Sequence, residues 1–180
     1  MLDWIAREGW ILSSWWLLVT LAGLAVLPLC WRLFHALPDK GYTLARAAGL
    51  LLVGFVYWIM AIFGFVENST GGIILAWLLV VALSLAAFFR FRTGDFDLRQ
   101  YWRENRRVIL VAEILFVVLL ASWAMYRAYQ NDTGSTEKPM ELAFISGIMR
   151  SSTFPPNDPW MAGYAISYYH FGYIMAAMLS

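Results

Sequence analysis

Four long apolar stretches, cut by short polar ones, set the pattern of this chain. Residues 10–31, 47–66 and 73–89 carry no charge, and residues 108–126 carry one, Glu113. A bilayer-spanning helix needs about 20 predominantly apolar residues, so each stretch predicts a transmembrane helix. The second and third are joined by the short turn Glu67, Asn68, Ser69, Thr70, Gly71, Gly72, which makes them a hairpin. The first follows a short leader with Asp3, Arg7 and Glu8. It is too long for a signal-peptide core and is followed by Arg32, so it reads as a retained helix. Trp10, Trp15, Trp16 and Trp31 suit the interfacial belts.

The pattern changes after residue 127. Pro139 suits a first helical position, and from there Met140, Phe144, Ile148 and Ser151 fall on one stripe with Ile145 and Met149 beside it. This predicts an amphipathic helix of about three turns, too short to span a bilayer and suited to lying on one. Phe154, Pro155, Pro156, Asn157, Asp158, Pro159 and Trp160 then demand a rigid, extended turn. The expected organisation is a four-helix transmembrane region over 1–127, an outer loop with its amphipathic helix over 128–162, and the start of a fifth transmembrane helix over 163–180. That last run ends without a charged stop, which reads as the N-terminal piece of a longer protein.

Composition agrees with the pattern: 61% of residues are hydrophobic, 14% are charged, and mean hydropathy is +0.62. A soluble domain carries about 25% charge. The fold class is therefore all-α and polytopic, with the lipid bilayer as its surroundings and the cell membrane as its location. A net charge of +1 gives no reason to expect nucleic acid as a partner. Cys30 is the single cysteine and reads as a small buried hydrophobe. Orientation follows from the loops. Those after the first and third helices hold three and six Lys or Arg, and the turn after the second holds none. The basic loops, which include Arg92 and Asp95, belong in the cytoplasm, so the N-terminus and the segment 137–160 are expected outside.

Candidate chemistry collects in that outer segment. Glu137 and Glu141 are four residues apart, so on a helix they share a face about 6 Å apart. Carboxylates at a helix N-terminus are also favoured by the macrodipole, at about 0.3–1 kcal/mol each, so structural and chemical roles are both open. Asp158 is a third acid or a turn former. Tyr168, Tyr169 and His170 belong to an aromatic band with Tyr164, Phe171 and Tyr173, of the kind that anchors at headgroups. His170, in the fifth helix and about a turn inside the membrane edge, reads as packed and hydrogen-bonded. No paired His or Cys spacing marks a metal site. Within the fourth helix Glu113 is expected to pair or be protonated, and Arg106, Arg107 or a further helix are the partners on offer.

The strings EKPMELAF, FPPNDPW and AISYYHFGY also resemble the signature blocks of the YYY domain family of polytopic membrane proteins, which are similar to GT-C glycosyltransferases. The likeness covers roughly 113–173. The family's first block usually ends in Asp where this chain has Glu141, and its tyrosine triplet reads Tyr168, Tyr169, His170 here. The resemblance implies the N-terminal part of a GT-C-like fold and transfer of a sugar from a polyprenyl-phosphate donor on the extracytoplasmic side. It implies an outer-loop acid, Glu141 or Glu137, as base or as ligand of a divalent cation. Lys138, Arg150 and Arg127 would steady the lipid phosphate, and Asp158, Tyr168, Tyr169 and His170 would line the substrate. A non-enzymatic membrane protein, a transporter component or an envelope-assembly partner whose outer loop binds lipid or a partner, is the alternative.

Overall fold

A computed structural model describes residues 2–91, 97–130, 134 and 137–180, with side chains from residue 9 onward. Arg92 and Asp95 of the basic loop, and the side chains of Asp3, Arg7 and Glu8, lie outside the described residues. The described elements are helices: α1 Leu2–Leu33, α2 Tyr42–Ile62, α3 Thr70–Arg90, α4 Leu98–Tyr129, α5 Lys138–Arg150 and α6 Phe171–Met178. Gly9–Leu33, Tyr42–Ile62, Thr70–Arg90 and Leu98–Tyr129 are long and apolar enough to cross a membrane, with mean hydropathies of 1.9, 1.8, 2.6 and 2.5. The chain is thus a polytopic helical membrane protein. It divides into two compact units, Met1–Gly49 with Val81–Asn131, and Leu50–Val80 with Asp132–Ser180.

In the first unit small residues let α1 and α2 approach closely. A methyl group added at Gly49 would overlap the backbone of Ala22, and one at Gly23 would lie 3.1 Å from the backbone of Arg46. Such contacts drive helix association where lipid removes the hydrophobic advantage of burial. Pro28 interrupts the hydrogen-bond ladder of α1. The next amide, Leu29 N, donates to Ser84 Oγ of α3 at 3.1 Å, so a neighbouring helix meets the interrupted backbone. Between α1 and α2 the buried Asp39 carboxylate accepts from Gly41 N (3.2 Å), Thr43 N (2.9 Å) and Thr43 Oγ1 (2.7 Å). Burial opposes its charge, but those hydrogen bonds outweigh burial and hold its carboxyl below the usual carboxylate range.

Glu113 finds a partner that the sequence did not single out. Arg46 of α2 grips its carboxylate at 2.9 Å (Nη1 to Oε1) and 2.6 Å (Nη2 to Oε2), and Tyr42 Oη donates to Oε1 at 2.7 Å. Arg46 also donates to Thr20 Oγ1 of α1 from Nε (3.3 Å) and Nη2 (3.2 Å), and its guanidinium lies 4.3 Å from the Phe116 ring centroid. Arg106 and Arg107, the expected partners, are exposed on α4. They sit six or seven residues back on the same helix, about 9–10 Å along its axis, whereas Arg46 arrives from the side at the right depth. The ion pair therefore joins two spanning helices.

In the second unit the stripe predicted on α5 is present, but it faces protein. Phe144 and Ile148 are buried with Tyr57, Ala61, Ala76, Phe154, Ile166 and Ile174 in one apolar cluster, and Ser151 is buried at the end of the helix. The expectation of a helix lying on the bilayer gives way because α6 and the proline-rich loop cover that face. Residues 163–170, expected as the first turns of a fifth helix, are not helical, and helix begins at Phe171. Beyond that point α6 runs against α2: Phe171 packs on Trp58 with ring centroids 5.7 Å apart, and a methyl group at Gly54 would meet Met175 Cγ at 2.9 Å.

Candidate functional site

The segment that holds most of the candidates is built from the two ends of α5 and the loop that returns along it. At the start, Glu137 occupies the capping position with helical backbone (φ −108°, ψ −24°), and its side chain makes no capping hydrogen bond. Its carbonyl accepts from Glu141 N at 3.0 Å, so the two residues bracket the first turn, with Pro139 inside it. The Glu137 side chain is therefore not tied to the free amides that a cap would normally satisfy. Glu141 is half-buried and Glu137 exposed.

Phe144, one turn further on, is the hub of an aromatic cluster. Its ring centroid lies 5.5 Å from that of Trp160 and 5.7 Å from those of both Tyr168 and Tyr173. Tyr168 and Tyr169 lie side by side, with centroids 4.0 Å apart and planes at 30°, and Tyr168 Oη donates to Tyr169 Oη at 2.8 Å. Donating that proton pushes the Tyr168 pKa up to about 12, and the charge of Glu137 is among the smaller contributions in the same direction. Desolvation raises the Tyr173 hydroxyl above its ordinary pKa, with smaller contributions in the same direction from the charges of Glu141, Tyr169 and Glu137. The fold thus gathers Glu137, Glu141, Tyr168, Tyr169 and Tyr173 around one end of α5.

The remaining candidates fall elsewhere. Lys138 begins α5 beside Glu137 and is half-buried. Arg150 is exposed in the last turn, nine residues beyond Glu141 and thus about 13 Å along the helix axis. Arg127 occupies the last turn of α4, in the first unit. Asp158 forms a turn: its Oδ1 accepts from Trp160 N (2.8 Å) and Met161 N (3.0 Å). His170 sits at the capping position of α6 rather than inside a helix. Its Nδ1 pairs with Tyr168 O at 2.8 Å, and its buried Nε2 has no partner among the described residues.

Residues 52–180 match the family described as "Uncharacterized membrane protein (DUF2298)". The chain belongs to this family. The family segment begins within α2 and takes in α3, α4, α5 and α6, hence every candidate residue above. No curated protein and no solved structure matches the chain. Among the described residues no three His, Cys, Asp or Glu side chains come together as a metal-holding group. Two carboxylates alone fall short of a dedicated cation cage, although magnesium sites do complete themselves with water and substrate phosphate.

Asn68, in the turn between α2 and α3, is the residue that sequence reasoning passed over. Its Nδ2 donates to Ile148 O at 2.6 Å and to Ser151 O, its backbone N donates to Ser152 O at 2.9 Å, and its Oδ1 accepts from Tyr57 Oη. The last carbonyls of a helix have no intrahelical donors, and Asn68 supplies them for α5. From Ser151 the chain continues by a second set of bonds: Ser151 Oγ donates to Gly147 O (2.9 Å) and accepts from Asn157 N (2.8 Å). Pro156 O accepts from Ile166 N, and Asp158 N donates to Tyr164 O, both at 2.9 Å, around an antiparallel bridge between Asn157 and Ala165.

Proposed function

We propose that this integral membrane protein belongs to a GT-C-like glycosyltransferase that moves a sugar from a polyprenyl-phosphate donor on the extracytoplasmic side. The observation that supports the reading is the first turn of α5, where Glu137 serves no cap, Glu141 lies one turn on, and Phe144, one turn further, packs on Tyr168 and Tyr173. Glu141 is assigned as general base. Its carboxylate takes the proton of the acceptor hydroxyl as that oxygen bonds to the anomeric carbon, and the bond from that carbon to the phosphate oxygen breaks with its electron pair leaving on the phosphate. Lys138, on the same turn, is the cation assigned to the departing phosphate, with Arg150 as a further contact along the lipid-linked substrate. The exposed faces of Tyr168 and Tyr169 offer a platform for a sugar ring.

Glu141→Gln and Glu137→Gln in the full-length protein, assayed for transfer of labelled sugar from a lipid-linked donor, test this. Loss of a general base typically costs at least about a hundredfold in rate. Glu141→Gln is expected to show that loss with expression unchanged. Wild-type turnover in both variants would remove the catalytic assignment and leave a non-enzymatic outer segment that binds lipid or a partner protein.

A further inference from the structure

The loop that returns from α5 to α6 ends in an apolar tip that stands exposed. Trp160, Met161 and Tyr164 are 60%, 58% and 66% exposed, and residues 159–169 carry no formal charge. The turn holding them is closed from both sides: Asp158 Oδ1 accepts from Trp160 N and Met161 N, Tyr164 N donates to Met161 O at 3.1 Å, and Asp158 N donates to Tyr164 O. Three large side chains are thus presented outward by a braced backbone, where a slack loop would fold them in.

The base of the loop fixes its depth. Phe154 packs edge-on against Tyr57 with centroids 5.6 Å apart, and Ile166 shares the buried cluster with Ala61. Tyr57 and Ala61 lie five and one residues before Ile62, the end of α2, so about 7.5 and 1.5 Å from the end of that span. The polar layer on each side of the hydrocarbon is itself roughly 5–8 Å thick. The loop therefore leaves the protein at the level of the membrane interface, where Trp and Tyr are enriched because one end of each ring is apolar and the other can hydrogen-bond.

We propose that the tip formed by Trp160, Met161 and Tyr164 is immersed in the headgroup–acyl boundary of the leaflet facing the α2–α3 turn, with lipid as its partner. The membrane contact expected of α5 is made instead by this loop, because the α5 stripe is occupied inside the protein. The charge-free run means that no ionised side chain is drawn into the boundary with it; Asp158, at its edge, already spends its carboxylate on the turn. Since Trp160 rests on Phe144, lipid at the tip bears on the first turns of α5. This inference stands apart from sugar transfer and holds whether or not that reading survives.

The test is the depth of a nitroxide attached at Met161→Cys, and separately at Tyr164→Cys, in the full-length chain with Cys30→Ser. The protein is placed in vesicles of phosphatidylethanolamine and phosphatidylglycerol, and collisions with oxygen, which concentrates in lipid, are compared with those of a water-soluble nickel chelate. Both positions point outward, so the labels replace no buried contact. Oxygen collisions exceeding nickel collisions at both sites are the expected result. Nickel exceeding oxygen would place the tip in water, and low accessibility to both would show a protein partner over it; either outcome overturns the proposal.

Discussion

At the scale of single residues, Asn68 shows how much one amide can organise. It sits in a turn that composition would pass over, yet it donates to two carbonyls at the end of α5 and accepts from Tyr57. Asn68→Asp keeps the acceptor, removes both donors and sets a negative charge against those carbonyls. A buried polar group left unsatisfied costs about 1–3 kcal/mol. Faster amide hydrogen exchange confined to the last turn of α5 and the following loop is expected, read by mass spectrometry. Exchange unchanged there would mean that packing of Phe144 and Ile148 alone holds the segment.

At the scale of elements, α4 leaves much of its apolar length exposed. Leu110, Val111, Ile114, Leu115, Val118 and Leu119 are all exposed along it, whereas Glu113 is bound by Arg46 and Tyr42. The ion pair is partly screened, its side chains being 16% and 26% exposed, so its loss should cost less than the roughly 3–5 kcal/mol of a fully buried pair. Glu113→Gln, which retains hydrogen bonding, is expected to be tolerated better than Glu113→Leu. The double variant Arg46→Met with Glu113→Leu should be more stable than either single loss implies, because no uncompensated charge remains. Thermal unfolding in detergent of the wild type, Glu113→Gln, Glu113→Leu, Arg46→Met and the double variant measures this, and strict additivity would show that the pair does not couple the helices.

The whole molecule is organised by the bilayer. Among the described residues four helices are long and apolar enough to span it, and the uneven placement of Lys and Arg leads to one expected topology, with the basic segment at the start of α4 inside and residues 137–160 outside. Ser152 and Gln100 are both exposed and lie on opposite sides in that topology. In a Cys30→Ser background, Ser152→Cys should react with an impermeant thiol reagent in intact cells and Gln100→Cys should not. The reverse pattern would move the candidate site to the cytoplasmic face and exclude a donor presented outside.

What the sequence determined by itself is what depends on local chemistry and on lipid. Runs of apolar residues make the four spans unavoidable, since only a helix satisfies its own backbone in hydrocarbon. Pro139 marks the start of α5, and its 3.6-residue periodicity predicts the face that Phe144 and Ile148 bury. Periodicity says that a face is apolar without saying what covers it, which is why the stripe was expected against lipid and lies against α6 and the loop. Partner choice was equally out of reach. Arg46 is 67 residues from Glu113 and Asn68 is 80 from Ile148, and nothing in either neighbourhood encodes the other. Those pairings exist only because helix packing brings distant depths together, and with them come the gathering of Glu137 and Glu141 beside the tyrosines and the outward setting of Trp160, Met161 and Tyr164.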